Sequence, residues 1–129
     1  MAPTKTIRLQ NVASGKNLRI HDSKVDANGG NGPFTKFIMH KTPNKLIKLQ
    51  SAQNTSEYVA LGPNGQVRTG PGGKFCEFQV VKHEKRVVSL KSAHSNHYLG
   101  FTKDGNFHLC SNPKADGQRK KSKFNVILA

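Results

Sequence analysis

The sequence predicts an all-β domain in which one structural unit occurs three times. A short apolar segment is found at residues 6–10, 46–50 and 87–91. Its central leucines, Leu9, Leu49 and Leu90, are 40 and then 41 positions apart. A repeat of about this length is typical of folds in which each unit is one supersecondary motif that packs on its neighbours. No long segment has helical periodicity, so the repeated unit is expected to consist of strands.

Each unit contains four predicted strands. The first segment is followed by a run of alternating apolar positions, which is typical of a half-buried strand. These runs occupy residues 18–20, 59–61 and 99–101. A turn rich in Asp, Asn, Gly or Pro and a third apolar position come next, which indicates a hairpin. The fourth runs begin with phenylalanine, at residues 37–39, 78–80 and 124–126. The pattern therefore predicts twelve strands.

Three four-strand units joined by loops rich in Gly, Pro and Asn predict a β-trefoil, which is a pseudo-three-fold barrel capped by hairpins. The units span approximately residues 5–44, 45–85 and 86–129. No unit could bury its apolar face alone, so residues 1–129 are expected to form one domain. A β-sandwich would have no reason to repeat its apolar positions in this way. The predicted core consists of equivalent residues from the three units: Leu9, Leu49 and Leu90; Leu18, Val59 and Leu99; Ile20, Leu61 and Phe101; Phe37, Phe78 and Phe124.

The charge of the chain indicates a polyanionic partner. Twenty-one Lys and Arg residues against seven Asp and Glu residues give a formal net charge of +14. Such a surface repels itself and is stabilised when an acidic partner is near. The cations are dispersed over all three units, which favours a large acidic surface over a small ligand. Binding of this kind is expected to weaken as salt is added.

The start of the chain gives an expectation about location. No apolar run approaches the ~20 residues of a membrane-spanning helix. Lys5 and Arg8 interrupt the only apolar stretch near the start, which therefore lacks the apolar region of a secretory signal. We expect a cytoplasmic protein, with non-conventional secretion left open. Cys76 and Cys110 are then expected to be reduced, apolar thiols.

The third unit contains an insertion rich in cations. The apolar residues that mark the third and fourth strands are 12, 11 and 17 positions apart in the three units. Residues 119–123 include four cations in five positions. Clustered cations on a loop favour phosphate, sulfate or carboxylate groups. The candidate anion site consists of Lys103, Lys114, Gln118, Arg119, Lys120, Lys121 and Lys123. The alternative is a solvated loop that keeps a basic protein soluble.

No catalytic, metal-binding or cofactor motif stands out. The seven acids lack the paired arrangement that general acid and base catalysis requires. Residues 69–74 resemble a phosphate-binding loop, but Arg68 occupies the position of its first glycine and a strand follows. The histidines lack the spacing of a helical metal site. We therefore expect a protein that is not an enzyme and needs no cofactor. A lectin for neutral sugars is less favoured because the chain has no Trp.

Several segments resemble the repeats of the fascin family of actin-bundling proteins. They are residues 76–83, 89–94, 98–99 and 103–106. As a single domain, the chain is also similar in build to the hisactophilins, small trefoils that bind actin filaments and acidic membrane surfaces but are far richer in histidine. The resemblance implies a β-trefoil that binds an acidic filament such as actin, with an anionic membrane surface as a further partner. This is the leading functional hypothesis.

A weaker resemblance is to the fibroblast growth factors. Residues 117–120, Gly-Gln-Arg-Lys, are similar to the heparin-binding loop of that family, and Lys103 matches a further cation on the preceding hairpin. His108 and Leu109 stand where that family has a basic pair, and Ala13 stands where it has Asn. This resemblance implies an alternative function, the binding of a heparin-type sulfated glycan.

Overall fold

The computed structural model describes residues 4–129, which form ten strands and two short 3-10 helices. The strands are β1 (Thr4–Asn11), β2 (Asn17–His21), β3 (Lys24–Gly29), β4 (Phe37–Lys41), β5 (Ile47–Ser51), β6 (Tyr58–Leu61), β7 (Val67–Gly70), β8 (Phe78–Lys82), β9 (Val87–Ser92) and β10 (Phe124–Leu128). The 3-10 helices, Pro33–Thr35 and Lys74–Cys76, are each separated by one residue from the barrel strand that follows. No helix in the described part of the chain is long and apolar enough to cross a membrane.

Six strands close into an antiparallel barrel. β1 pairs with both β10 and β4, and the circuit continues from β4 to β5, β8, β9 and back to β10. Closure removes the free edges that an open sheet would present. The all-β class and the barrel predicted from the sequence are both confirmed.

The other four strands form two hairpins outside the barrel. β2 pairs with β3 and β6 pairs with β7, each pair joined to the barrel through the preceding strand. In the first hairpin the two turn residues, Asp22 and Ser23, have φ values of 52° and 60°. Positive φ at both central residues is the geometry that matches the twist of a tight hairpin. Gly65 provides a positive φ in the turn of the second hairpin.

The expectation of twelve strands is wrong in the third unit. Residues 98–110 form isolated bridges instead of regular strands, joining Tyr98 to Cys110 and to Lys91, and Phe101 to Phe107. Backbone N–H groups of Tyr98, Thr102 and His108 still donate across the turn, to Cys110, Asn106 and Gly100. The third hairpin is therefore present as an irregular pair and not as two regular strands. A turn at Gly105 is retained, with a φ of 80°.

The predicted core is confirmed, including its members in the third unit. All twelve residues are at most 3% exposed, and Leu99 and Phe101 are completely buried although they are not in strands. Phe37, Phe78 and Phe124 each begin a barrel strand and are completely buried. The ring of Phe101 packs edge-on against Phe124 with the centroids 6.1 Å apart. Cys76 and Cys110 are free thiols in buried positions, and burial raises the pKa of both.

Candidate anion-binding surface

Most of the cations have no acidic neighbour. Across residues 4–129, only two of the 21 Lys and Arg side chains form ion pairs, Arg19 with Asp26 and Arg119 with Asp116. In each pair a guanidinium nitrogen lies 2.8 Å from a carboxylate oxygen. Glu77 accepts instead from His94, at 2.9 Å. The surface therefore presents a large excess of uncompensated positive charge.

The inserted segment, residues 111–123, is ordered against the barrel. Its backbone makes consecutive turns, and Pro113 and Ser122 are buried within it. The Ser122 hydroxyl donates to the carbonyl of Gln118 at 2.8 Å. We call this segment the basic loop.

Carbonyl groups at the end of the basic loop bond to two other parts of the fold. Lys120 and Lys123 accept from the backbone of Ala13 and Val12. The carbonyl of Lys121 accepts from the backbone of Phe101 and from the side chain of Asn11. These bonds attach the end of the basic loop to residues 11–13 and to Phe101.

Two residues of the predicted site are engaged within the basic loop itself. The Gln118 side-chain oxygen accepts from the backbone N–H groups of Ser111 and Asn112, at 2.6 and 2.9 Å. Arg119 forms its ion pair with the exposed Asp116. Both side chains therefore have local partners with which an anion would compete. Lys114, Lys120, Lys121 and Lys123 have no ion-pair partner among the described residues.

The structure adds His83 to the residues that the sequence predicts for this site. His83 follows β8, and its Nε2 lies 2.7 Å from the hydroxyl of the buried Ser89. Burial lowers the pKa of His83, and the positive charges of Lys123 and Lys114 lower it further, while Glu84 acts in the opposite direction. The fold thus brings His83 near two cations of the basic loop, although they lie more than 30 positions away in the sequence.

Lys103 lies apart from the basic loop in the chain, on the exposed turn of residues 102–106. The neighbouring Gly105 carbonyl accepts from the backbone of Ala27, so this turn packs on the first unit. Only the base of the turn, at Phe101, bonds to the basic loop. The basic loop and His83 therefore form the centre of the candidate site, with Lys103 at its margin.

The charge environment of His83 gives a testable pH dependence. Because its folded pKa is lowered, the unfolded chain takes up a proton first, and the free energy of unfolding is expected to fall as the pH drops below ~6.5. A polyanion bound at Lys114 and Lys123 would neutralise the charges that disfavour protonation. We expect a heparin fragment to raise the His83 pKa in an NMR titration. An unchanged His83 pKa in the saturated complex would place the anion elsewhere.

Within residues 4–129, no group of three His, Cys, Asp or Glu residues is arranged to hold a metal ion. The His94–Glu77 pair lines a shallow polar recess of about 580 Å³ with Lys91 and Gln79. No protein-family model matches the chain, and no curated protein sequence matches it.

Proposed function

We propose that the protein is a non-enzymatic β-trefoil that binds an acidic protein filament, with actin as the leading candidate. The observation that carries the proposal is the uncompensated charge, since only Arg19 and Arg119 among the cations have carboxylate partners in residues 4–129. The closed six-strand barrel and the buried phenylalanine triplet support the trefoil assignment. The fascin-like segments support actin as the filament.

An extended acidic surface suits this charge distribution better than a small anion does. Exposed cations lie in every unit, including Lys16, Lys24, Lys41, Lys82 and Lys120. A filament with a repeated negative surface can interact with several of these positions at once. The interactions add through the summed field, so binding is expected to be fast and sensitive to salt.

Cosedimentation with actin filaments tests the proposal. The protein is expected to pellet with filaments at low salt and to remain in the supernatant without them. Microtubules, which are also acidic, serve as the control for charge alone. A protein that stays in the supernatant with actin at low salt would refute the proposal.

A second candidate function, the binding of a sulfated glycan, is favoured by one local feature. Burial lowers the pKa of His83, and Lys123 and Lys114 of the basic loop lie close enough to lower it further. A cluster of cations whose backbone is bonded to the rest of the fold is suited to sulfate groups, because less ordering of the backbone is then required on binding. This candidate predicts an effect confined to the basic loop, whereas the filament proposal predicts an effect distributed over the surface.

A further inference from the structure

One end of the barrel opens into an apolar cavity of about 660 Å³. All six barrel strands line it, at the end where β1, β5 and β9 begin and β4, β8 and β10 finish. Its wall consists of buried or partly buried apolar side chains: Ile7, Leu9, Met39, Ile47, Val80, Val88, Leu90 and Val126. The volume lies within the range of about 300–1,000 Å³ that is typical of ligand sites.

The mouth of this cavity is ringed by exposed cations. They are Lys5, Lys41, Lys45, Lys82, Lys85 and Arg86, and we call them the basic rim. None of them forms an ion pair within the described residues, and no Asp or Glu lines the cavity. An apolar recess surrounded by charge of one sign selects a partner that combines apolar and anionic groups.

The basic rim follows the repetition of the barrel. Lys41 pairs in register with Ile47 at the start of β5, and Lys82 pairs with Val88 at the start of β9. The equivalent position in the third pair of strands is Leu128, which pairs with Ile7. Leu128 is 64% exposed and lines the cavity. The rim is therefore cationic around most of its circumference and apolar at one point.

Charge complementarity decides between the occupants that such a cavity could take. A second copy of this chain would bring two basic rims face to face, which is unfavourable. A fatty acid has one anionic group and would meet only a small part of a rim whose cations come from β1, β4, β8 and the turns after β4 and β8. An acidic peptide segment offers several carboxylates, spaced along its backbone, together with apolar side chains. Interfaces commonly place one buried apolar anchor within such a polar rim.

We propose that the acidic partner docks on this end of the barrel, by inserting an apolar side chain into the cavity while its flanking carboxylates bind the basic rim. This inference rests on the proposed function, because it locates the surface that an acidic protein partner uses. It assigns the main contact to the barrel end and leaves the basic loop outside it.

A synthetic peptide with a Leu-Phe pair between two runs of Glu and Asp is the probe. Its binding to the 129-residue chain is measured by fluorescence anisotropy at near-physiological salt. Replacing Leu-Phe by Ser-Ser, or the acids by Gln, is expected to weaken binding about ten-fold in each case, since each change removes one of the two required features. Equal binding of the Ser-Ser peptide would overturn the inference, because summed charge alone would then account for binding.

Two matched pairs of variants test the location. Leu128→Ser is expected to weaken peptide binding about five-fold through lost apolar contact. Ile127→Ser, at the adjacent residue that does not line the cavity, is expected to have little effect. The double variant Lys41→Glu/Lys82→Glu should weaken binding about ten-fold. The charge-matched control Lys16→Glu/Lys24→Glu, at exposed sites outside the rim, should change it less than about three-fold.

Thermal unfolding of each variant shows that the fold is intact before binding is compared. Equal losses of peptide binding for the rim variant and its charge-matched control would overturn the inference, as would binding of dodecanoate in the cavity when the peptide does not bind.

The same variants are then tested in filament cosedimentation. If wild type pellets with actin and Lys41→Glu/Lys82→Glu pellets equally well, the proposed function stands and the barrel-end site is wrong. If wild type does not pellet, the filament proposal fails, while the peptide measurement still decides the site.

Discussion

Replacing Phe78 by alanine is expected to lower the free energy of unfolding by about 3–5 kcal/mol. Phe78 is completely buried at the first position of β8, where its strand meets both β5 and β9. Removing the ring leaves a cavity at the junction of three barrel strands, and close packing prevents its neighbours from filling that cavity. Denaturant unfolding monitored by circular dichroism measures the loss.

Phe75→Ala is the matched control for this substitution. Phe75 lies three residues earlier, on the 3-10 helix Lys74–Cys76, and is only partly buried. Its ring contacts the charged ends of Lys74 and Arg68, with the Lys74 Nζ 5.2 Å from the ring centroid. Such partly exposed contacts contribute about 1 kcal/mol or less. A loss below about 1 kcal/mol for Phe78→Ala would show that Phe78 does not support the barrel.

Reversing Arg119, Lys120 and Lys121 to glutamate is expected to abolish retention on a heparin column if the basic loop is a sulfate site. The change removes three positive charges and introduces three negative ones next to Lys114 and Lys123. It also breaks the Arg119–Asp116 pair, but that pair is largely exposed and contributes little to stability. The fold should therefore survive, because the backbone carbonyls of the segment, and not these side chains, hold it to the barrel.

A triple reversal of Lys16, Lys24 and Lys36 in the first unit is the charge-matched control. It changes the net charge equally, so a loop-specific sulfate site predicts only a shorter retention on heparin for this variant. A filament that senses the summed field predicts similar losses for both triple variants in cosedimentation. If both triple variants lose only a little retention on heparin, and by equal amounts, the retention is non-specific ion exchange. The basic loop would then be a solubilising insertion.

The core could be predicted from the sequence because repetition and alternation act together. Equivalent apolar residues recur at intervals of about 40 positions, once in each of the three units. Because they lie on the inward side of a strand, they are stable only in the interior that the units share. Leu99 and Phe101 illustrate how strong this constraint is, since they are buried as expected even though their segment forms only bridges. Burial is thus fixed by the pattern more firmly than hydrogen-bond pairing is.

The irregularity of the third hairpin could not be predicted from local pattern. Residues 98–101 and their turn look like those of the other units, yet they form only isolated bridges. The Phe101 N–H, which points away from the hairpin partner strand, bonds to the carbonyl of Lys121 in the insertion. Periodicity does not reveal how the insertion folds back onto this segment. The same limit applies to Gln118, whose side chain bonds to the loop backbone, and to His83, which the fold brings near Lys114 and Lys123.

Part of the basic rim could be predicted from an alternating pattern in the sequence. Phe37, Met39 and Lys41 occupy alternate positions of one strand, so they share its inward side, and Phe78, Val80 and Lys82 repeat the arrangement. A lysine at the end of an inward-facing series marks the point at which the barrel interior meets solvent. Only closure of the six strands shows that these lysines surround one opening.

The affinity for actin filaments, measured by cosedimentation across a series of salt concentrations, tests the central claim most directly. If uncompensated cations bind the acidic filament, binding is expected to saturate at low salt. The dissociation constant is expected to rise steadily as salt is added, because salt screens the charges. Absence of the protein from the filament pellet at low salt, or an affinity that does not change with salt, would contradict the account.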